Sequence, residues 1–478
     1  MYFFNKLYIK YNIKDILTVK KEGRDRMKKQ NMIALFLMTF AAFSAKADTL
    51  ETALSKAYEY NPALKAARAG TQAVDENVAI AKSGYRPTLS IDGGYSDSKI
   101  NTNAPIKPVD GYNRTLAATI SQPVFSGFKT VNSVQAAKNY AKASQAGLMA
   151  TEQSVLLEAS IAYLDVLQDE AILKLQKNNE KLLKKELDET RERFKVGEVT
   201  NTDVSQAEAS YASAQSRRIA AEGNLEASKA VYKQVIGSNP KDLNTPKEIE
   251  KLFPANAEQA LKYAREHSYA LEAARRNLKA TKYDVNTSKG DLLPSVNAYA
   301  QAGRIKTQNY MYDKNPTNNE VELGVNFSVP IYNAGASRAK IRQSKYYHWQ
   351  AQENLLNTED ALRANITSAW EYLSANKARM NSVKAQIKAY QVALNGVREE
   401  ESLGNRTVLD VLNQYQYLLN AEVEEVTTRH DYYVSGLTLL QAMGKLTAKD
   451  LKLKVDLYDE TANFKETSGK WLSTGIEK

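Results

Sequence analysis

The 478-residue chain contains no cysteine. It can build neither a disulfide framework nor a thiolate metal site, and no cysteine follows the leader-like start to carry a lipid. Histidine is almost as scarce: His267, His348 and His430 stand far apart in sequence. Neither His-Glu-x-x-His nor a phosphate-cradling Gly-x-x-x-x-Gly-Lys-Ser/Thr occurs. The nearest thing to a nucleophile pair is Ser96 with Lys99, where a strand pattern runs into a surface loop. No catalysis, no metal and no cofactor is expected.

Long apolar runs are missing too. Met32 to Phe43 is apolar but falls short of the roughly 18 to 20 residues that span a bilayer. It follows Lys28-Lys29 and precedes Ala45-Lys46-Ala47, the pattern of a secretory signal peptide cleaved between Ala47 and Asp48, so residues 1–47 are expected to be an extension and leader. Those residues hold ten Lys or Arg against three Asp or Glu, so the formal charge of +10 sits mostly in them. The chain from Asp48 onward is close to neutral, and a nucleic-acid partner loses its main support. With no later apolar run of spanning length, any membrane contact must be made by strands.

The chain does have a second copy of itself at a displacement of 207 positions. Ala63-Leu64 returns as Ala270-Leu271, Pro87 as Pro294, Pro123 as Pro330, and Gly237 as Gly444. Gly197-Glu198-Val199-Thr200-Asn201-Thr202-Asp203-Val204 aligns with Gly404-Asn405-Arg406-Thr407-Val408-Leu409-Asp410-Val411. Such a period reads as one fold built from two structural repeats, residues 48–256 and 257–445, followed by a polar tail, 446–478.

Proline is absent from Val124 to Asn239 and from Ile331 to the C-terminus, so both stretches can be helical throughout. Leu157, Ile161, Leu164, Gln168, Ala171, Leu175, Asn178 and Leu182 step by four and three, the seam of packed helices. A helix from about Lys129 to Arg193 is a rod on the order of 100 Å long. Loops at Phe194 to Thr202 and at Glu401 to Leu409 interrupt the rods, with Gly197 and Gly404 available for a left-handed helix end, Thr200 or Thr202 as the first cap and Thr407 as the second. Each rod is thus a helical hairpin.

Val321, Leu323, Val325, Phe327 and Val329 alternate with Glu322, Gly324, Asn326 and Ser328, a strand with one apolar face. Thr115 to Gln122 is its weaker counterpart, and Thr88 to Ser96 and Ser295 to Ala302 make a second pair; Lys99 to Asn113 and Lys306 to Asn319 read as long polar turns. Tyr85, Tyr95, Tyr112, Tyr299, Tyr310 and Tyr312 cluster in this region, as suits a membrane interface. Four such strands fit either a soluble sheet packed on helices or part of a transmembrane barrel. Because about eight strands are the fewest that close, a barrel requires several copies of the chain. A pore-free periplasmic or surface coiled-coil scaffold accounts for the helices but has no use for the paired strands.

Asn61-Pro62-Ala63-Leu64, Gln122-Pro123-Val124-Phe125-Ser126-Gly127, Val329-Pro330-Ile331-Tyr332-Asn333, Val196-Gly197 and Leu403-Gly404 together resemble the outer membrane efflux protein (TolC-like) family, over most of residues 48–446. The tail from Gly444-Lys445-Leu446-Thr447 through Tyr458-Asp459 to Lys470-Trp471 resembles the type I secretion branch. The resemblance implies a mainly α fold with a β-barrel part. In it, three protomers share a twelve-stranded barrel in the outer membrane of a Gram-negative bacterium and a helical tunnel through the periplasm. It implies a passive exit duct for protein or small-molecule cargo, served by a periplasmic adaptor and an inner-membrane ABC or RND pump, in contact with outer-membrane lipid.

The same resemblance makes Asp203 a latch aspartate, Arg406 its partner on a neighbouring protomer, and Asp410 an aspartate of the inner aperture. Glu401 stands where a well-formed latch has tyrosine, and Asn413 replaces a second aperture aspartate. Val196, Gly197, Thr200, Leu403, Gly404 and Thr407 form the adaptor-docking tips. Arg406, read as the only cation inside either tip loop, is expected to carry closure.

Overall fold

A computed structural model describes residues 48–100, 109–309 and 316–476. The expected leader, with Ala45 and Ala47, lies outside the described residues, as do Tyr310 and Tyr312. Asp48 is the first described residue; its carboxylate takes the Lys56 ammonium at 2.9 Å and its carbonyl accepts from the Tyr163 hydroxyl.

The duplication is visible element by element. Helices α1 (Leu50–Tyr60) and α2 (Pro62–Ser83) lead into strands β1 (Thr88–Ile100) and β2 (Val109–Phe125), then into α3 (Lys129–Lys195) and α4 (Asn201–Ile236). The series repeats as α5 (Ala257–His267), α6 (Tyr269–Lys289), β3 (Ser295–Asn309), β4 (Thr317–Ser328), α7 (Ala336–Ser402) and α8 (Val408–Ala442). A short α9 (Ala462–Thr467) lies in the tail. Helices α3 and α7 are 67 residues each, about 100 Å of rod.

The four strands form one antiparallel sheet in the order β1-β2-β3-β4, so the two repeats join through β2 and β3. Register sets Leu89, Ile120, Ala300 and Leu323 in one row, and Ile91, Ala118, Ala302 and Val321 in the next. On the opposite face stand Ser90, Thr119, Gln301 and Glu322. The strands run beyond their expected ends: Lys99 to Ile100, Val109 to Asn113 and Lys306 to Asn309 are paired strand rather than turn. Alternation fades there because both faces of this end carry polar residues.

The helices meet in two apolar clusters. The larger, around Leu54, Leu64, Leu156, Tyr163, Tyr232, Ile236, Leu271, Ile366 and Leu437, draws on both repeats. The smaller, with Leu183, Leu187, Val204, Leu394, Val408, Val411 and Tyr415, joins the far ends of the two hairpins. The expected seam of α3 needs correction. Of its members only Leu164 is buried, while Asn178 and Leu182 are exposed. The buried stripe is the adjacent one, with Leu156, Ala159, Tyr163, Val166, Leu173, Gln176, Leu183, Leu187 and Thr190. Two neighbouring stripes of this helix carry heptad spacing, and packing by α2, α4, α6 and α8 selects the second.

Among the polar links between the hairpins is a histidine clasp. His430 of α8 lies 2.8 Å from Asp165 of α3 and 3.1 Å from its own neighbour Asp431. Burial pushes the imidazole pKa down, but the hydrogen bonds and charges of both carboxylates outweigh it and hold it above the ordinary value. A histidine whose pKa is higher folded than unfolded contributes its full stabilisation below about pH 6.5 and loses it as pH rises through the raised value. Melting temperature should therefore fall between about pH 6 and about pH 9 by more in the parent than in His430→Gln. Parallel melting curves for the two proteins would show the clasp to be inert.

Candidate functional site

The two hairpin ends are built alike. Thr200 accepts from the backbone N–H of Asp203 at 3.2 Å, and the Asp203 carboxylate accepts from the backbone N–H of Thr200 at 2.9 Å. Thr407 and Asp410 repeat this capping box at 3.2 and 3.0 Å. Of the two threonines open as the first cap, Thr200 is the one used. Gly197 and Gly404 adopt φ of +83° and +78°, where a Cβ would meet no atom within 4 Å. Their requirement is conformational, not spatial.

Asp203 and Asp410 are thus first-turn acids within the protomer, each held by its own threonine. The Thr407 backbone N–H, its hydroxyl and the nearby Arg406 charge lower the Asp410 pKa. Arg406 pairs with Glu400 at 2.9 Å, and Glu401 pairs with Arg193 at 2.5 Å. The expectation of Arg406 as sole tip cation is corrected here. Arg193 and Lys195 close the last turn of α3, and Arg193 also reaches Glu198 at 3.3 Å. Arg193 ties the first hairpin's end to the second's. Near Glu401 lies Glu186, whose pKa is raised by burial and then by the charges of Glu189 and Glu401. Burial and Glu186 together push the Tyr415 hydroxyl up to about 12. Asn413 is exposed.

Sequence reasoning missed Arg193, although a signal was present. Glu399-Glu400-Glu401 ends α7 with three acids where the helix dipole favours cations, and α7 has no basic residue in its last turn. Such an end needs a cation from another element.

Val196 and Leu403, equivalent in the two repeats, are 72% and 76% exposed at the two tips. At the opposite end of the molecule the apolar row of β4 is just as bare, with Val321 and Leu323 both 79% exposed and Val325 and Phe327 both 67%. Val329 is also exposed but comes after the last strand residue, Ser328. Tyr95 and Tyr112 stack on this apolar face with Arg114 over both rings. Tyr299, by contrast, lies on the polar face and donates to Glu322, so it does not serve the interface.

Among the described residues no helix is long and apolar enough to cross a membrane, and no group of metal-ligating side chains is present. The model of the outer membrane efflux protein family matches residues 53–238 and again residues 260–445, the same displacement as the sequence repeat. The chain belongs to the outer membrane efflux protein family. It is 37% identical over 431 residues to the outer membrane efflux protein BepC of Brucella suis biovar 1 (strain 1330), covering 90% of this chain and 92% of that one. It is 25% identical over 442 residues to the outer membrane protein TolC of Escherichia coli (strain K12), covering 88% and 87%. The solved Campylobacter jejuni CmeC outer membrane channel shares its fold, with a TM-score of 0.73 at 19% identity over 88% of this chain and 89% of that one. The protein is accordingly a transport channel of the Gram-negative outer membrane with a periplasmic helical part, and not an enzyme.

Proposed function

We propose that three copies close one twelve-stranded barrel, each supplying its four-stranded sheet, and that their hairpins form a single duct through the periplasm. The observation that carries this is the sheet. It presents a continuous apolar face across four strands, yet among the described residues β1 and β4 have no partner on their outer edges. Lipid tolerates no open edge, so those edges must pair with further copies. Helix α7 supports the same reading, because Tyr346, Tyr347, Trp349, Leu356, Tyr372 and Val392 are exposed along one protomer.

The duct is passive and carries cargo for secretion or efflux from an inner-membrane ABC or RND pump. Its periplasmic adaptor docks at Val196, Gly197, Thr200, Leu403, Gly404 and Thr407, where the equivalent Val196 and Leu403 side chains stand exposed. Asp203, Glu401, Arg406, Asp410 and Asn413 lie at the same end and shape the gate. Detergent extraction with sizing, followed by planar-bilayer recording, tests the assembly; a monomer that stays in solution without detergent would overturn it. Docking is tested separately. Valine at Gly197 and Gly404 together strains two left-handed turns without a clash, so export should be lost while trimers still form. Unchanged export from the double variant would move the docking site elsewhere.

A further inference from the structure

The tail is bound rung by rung in one direction, from Tyr58 in α1 along α2 to Arg86 beyond its end. The Tyr458 backbone N–H donates to the Tyr58 hydroxyl at 3.0 Å, and the Arg68 guanidinium lies over the rings of both Tyr58 and Tyr458, at 4.5 and 5.0 Å. Farther along, Asn463 donates to Asp75 at 3.1 Å and Phe464 packs near Val78 and Ala81. Lys82 then donates to the Ser468 carbonyl at 2.7 Å, and Arg86 to the Lys470 carbonyl at 3.0 Å. The last contact sets Arg86 4.4 Å from the Trp471 ring. Arg86 stands two residues before β1, whose Leu89 and Ile91 begin the apolar face.

The strap thus ends at the base of the sheet, and there it bares its apolar residues. Trp471, Leu472 and Ile476 are all exposed, Leu472 almost fully. Between them lie Ser473, Thr474 and Gly475, without a charge. A tryptophan preceded by a lysine and followed by aliphatic side chains, at the level where an apolar wall begins, matches the headgroup boundary of a bilayer. A docked strap also avoids the ordering cost that a free tail would meet on insertion.

We propose that the segment 471–476 is a membrane-interface anchor, seated in the periplasmic leaflet of the outer membrane and continuous with the lipid face of β1. The strap then fixes the height of the helical part against the bilayer through α2. The reading rests on the barrel, and the two fail differently. Loss of the barrel shows as protein that does not enter vesicles at all, whereas loss of the anchor shows only at Trp471.

The test uses the full chain with Trp349→Phe and Trp370→Phe, which leaves Trp471 as the only tryptophan. Trimers are reconstituted into vesicles of phosphatidylethanolamine and phosphatidylglycerol that contain phosphatidylcholine brominated either near the headgroup or deep in the acyl chain. Expected is blue-shifted Trp471 emission, quenched more by the shallow bromines than by the deep ones. Adding Arg86→Ala should shift the emission toward the red and weaken the quenching. Water-like emission that neither lipid quenches would overturn the anchor. So would blue-shifted emission that neither lipid quenches, since that would place the segment against a neighbouring copy.

Discussion

Arginine at Leu323 should cost the assembled channel about 2 to 4 kcal/mol, while arginine at Asn326 should be tolerated. Leu323 belongs to one of the two rows in which all four strands present an apolar residue, with Ala300, Ile120 and Leu89 beside it. Its side chain is 79% exposed in the protomer, so no protein core is there to be disrupted. In water the change would be nearly neutral, as surface substitutions usually are. The large cost appears only if that exposed face is solvated by hydrocarbon, where the charge must be dehydrated or drag water inward. Asn326 points to the other face, toward the wet interior. The comparison therefore reads the environment of the sheet and not its packing. Denaturant unfolding in lipid vesicles measures both variants; equal penalties would refute the assignment of the two faces.

The parts of this architecture that follow from periodicity were legible in the sequence, and those that follow from choice among equals were not. The duplication, both hairpins, the left-handed tips at Gly197 and Gly404 and the alternation of β4 each leave a local pattern. The buried stripe of α3 does not, because two adjacent stripes carry the same spacing and only the neighbouring helices decide between them. Strand ends beyond Lys99 and Lys306 escaped for a related reason: at the end of the sheet farthest from the helices both faces carry polar residues, and the period-two signal fades although the backbone pairing continues. The docking of the tail was invisible altogether. Lys82 and Arg86 bind main-chain carbonyls, which every residue offers, so no side-chain pattern announces it.

At the tips, replacing Arg193 with Ser should raise the resting conductance of reconstituted trimers more than replacing Arg406 with Ser does. Both cations pair with glutamates of α7, but their settings differ. Arg406 and Glu400 are each about half exposed and belong to the same tip, so their attraction is screened by solvent and weak. Arg193 reaches from one hairpin to the other, and the Glu401 side chain it meets is only 12% exposed. Such a charged hydrogen bond contributes on the order of 1 to 2 kcal/mol. Removing Arg193 leaves Glu401 without its partner and near Glu186, with Arg398 as the remaining cation acting on Glu186, and three copies of that repulsion would meet around one aperture. The first hairpin should then swing free of the second. Because unpaired carboxylates repel through a salt-sensitive field, the excess conductance should shrink as ionic strength rises. Adding Glu401→Gln to Arg193→Ser should restore much of the closure by removing the stranded charge. The readout is single-channel current in planar bilayers at low and high salt. If Arg193→Ser pores stay as closed as the parent at low salt, the apolar cluster around Leu187, Leu394 and Leu412 holds the two hairpins together without help from charge.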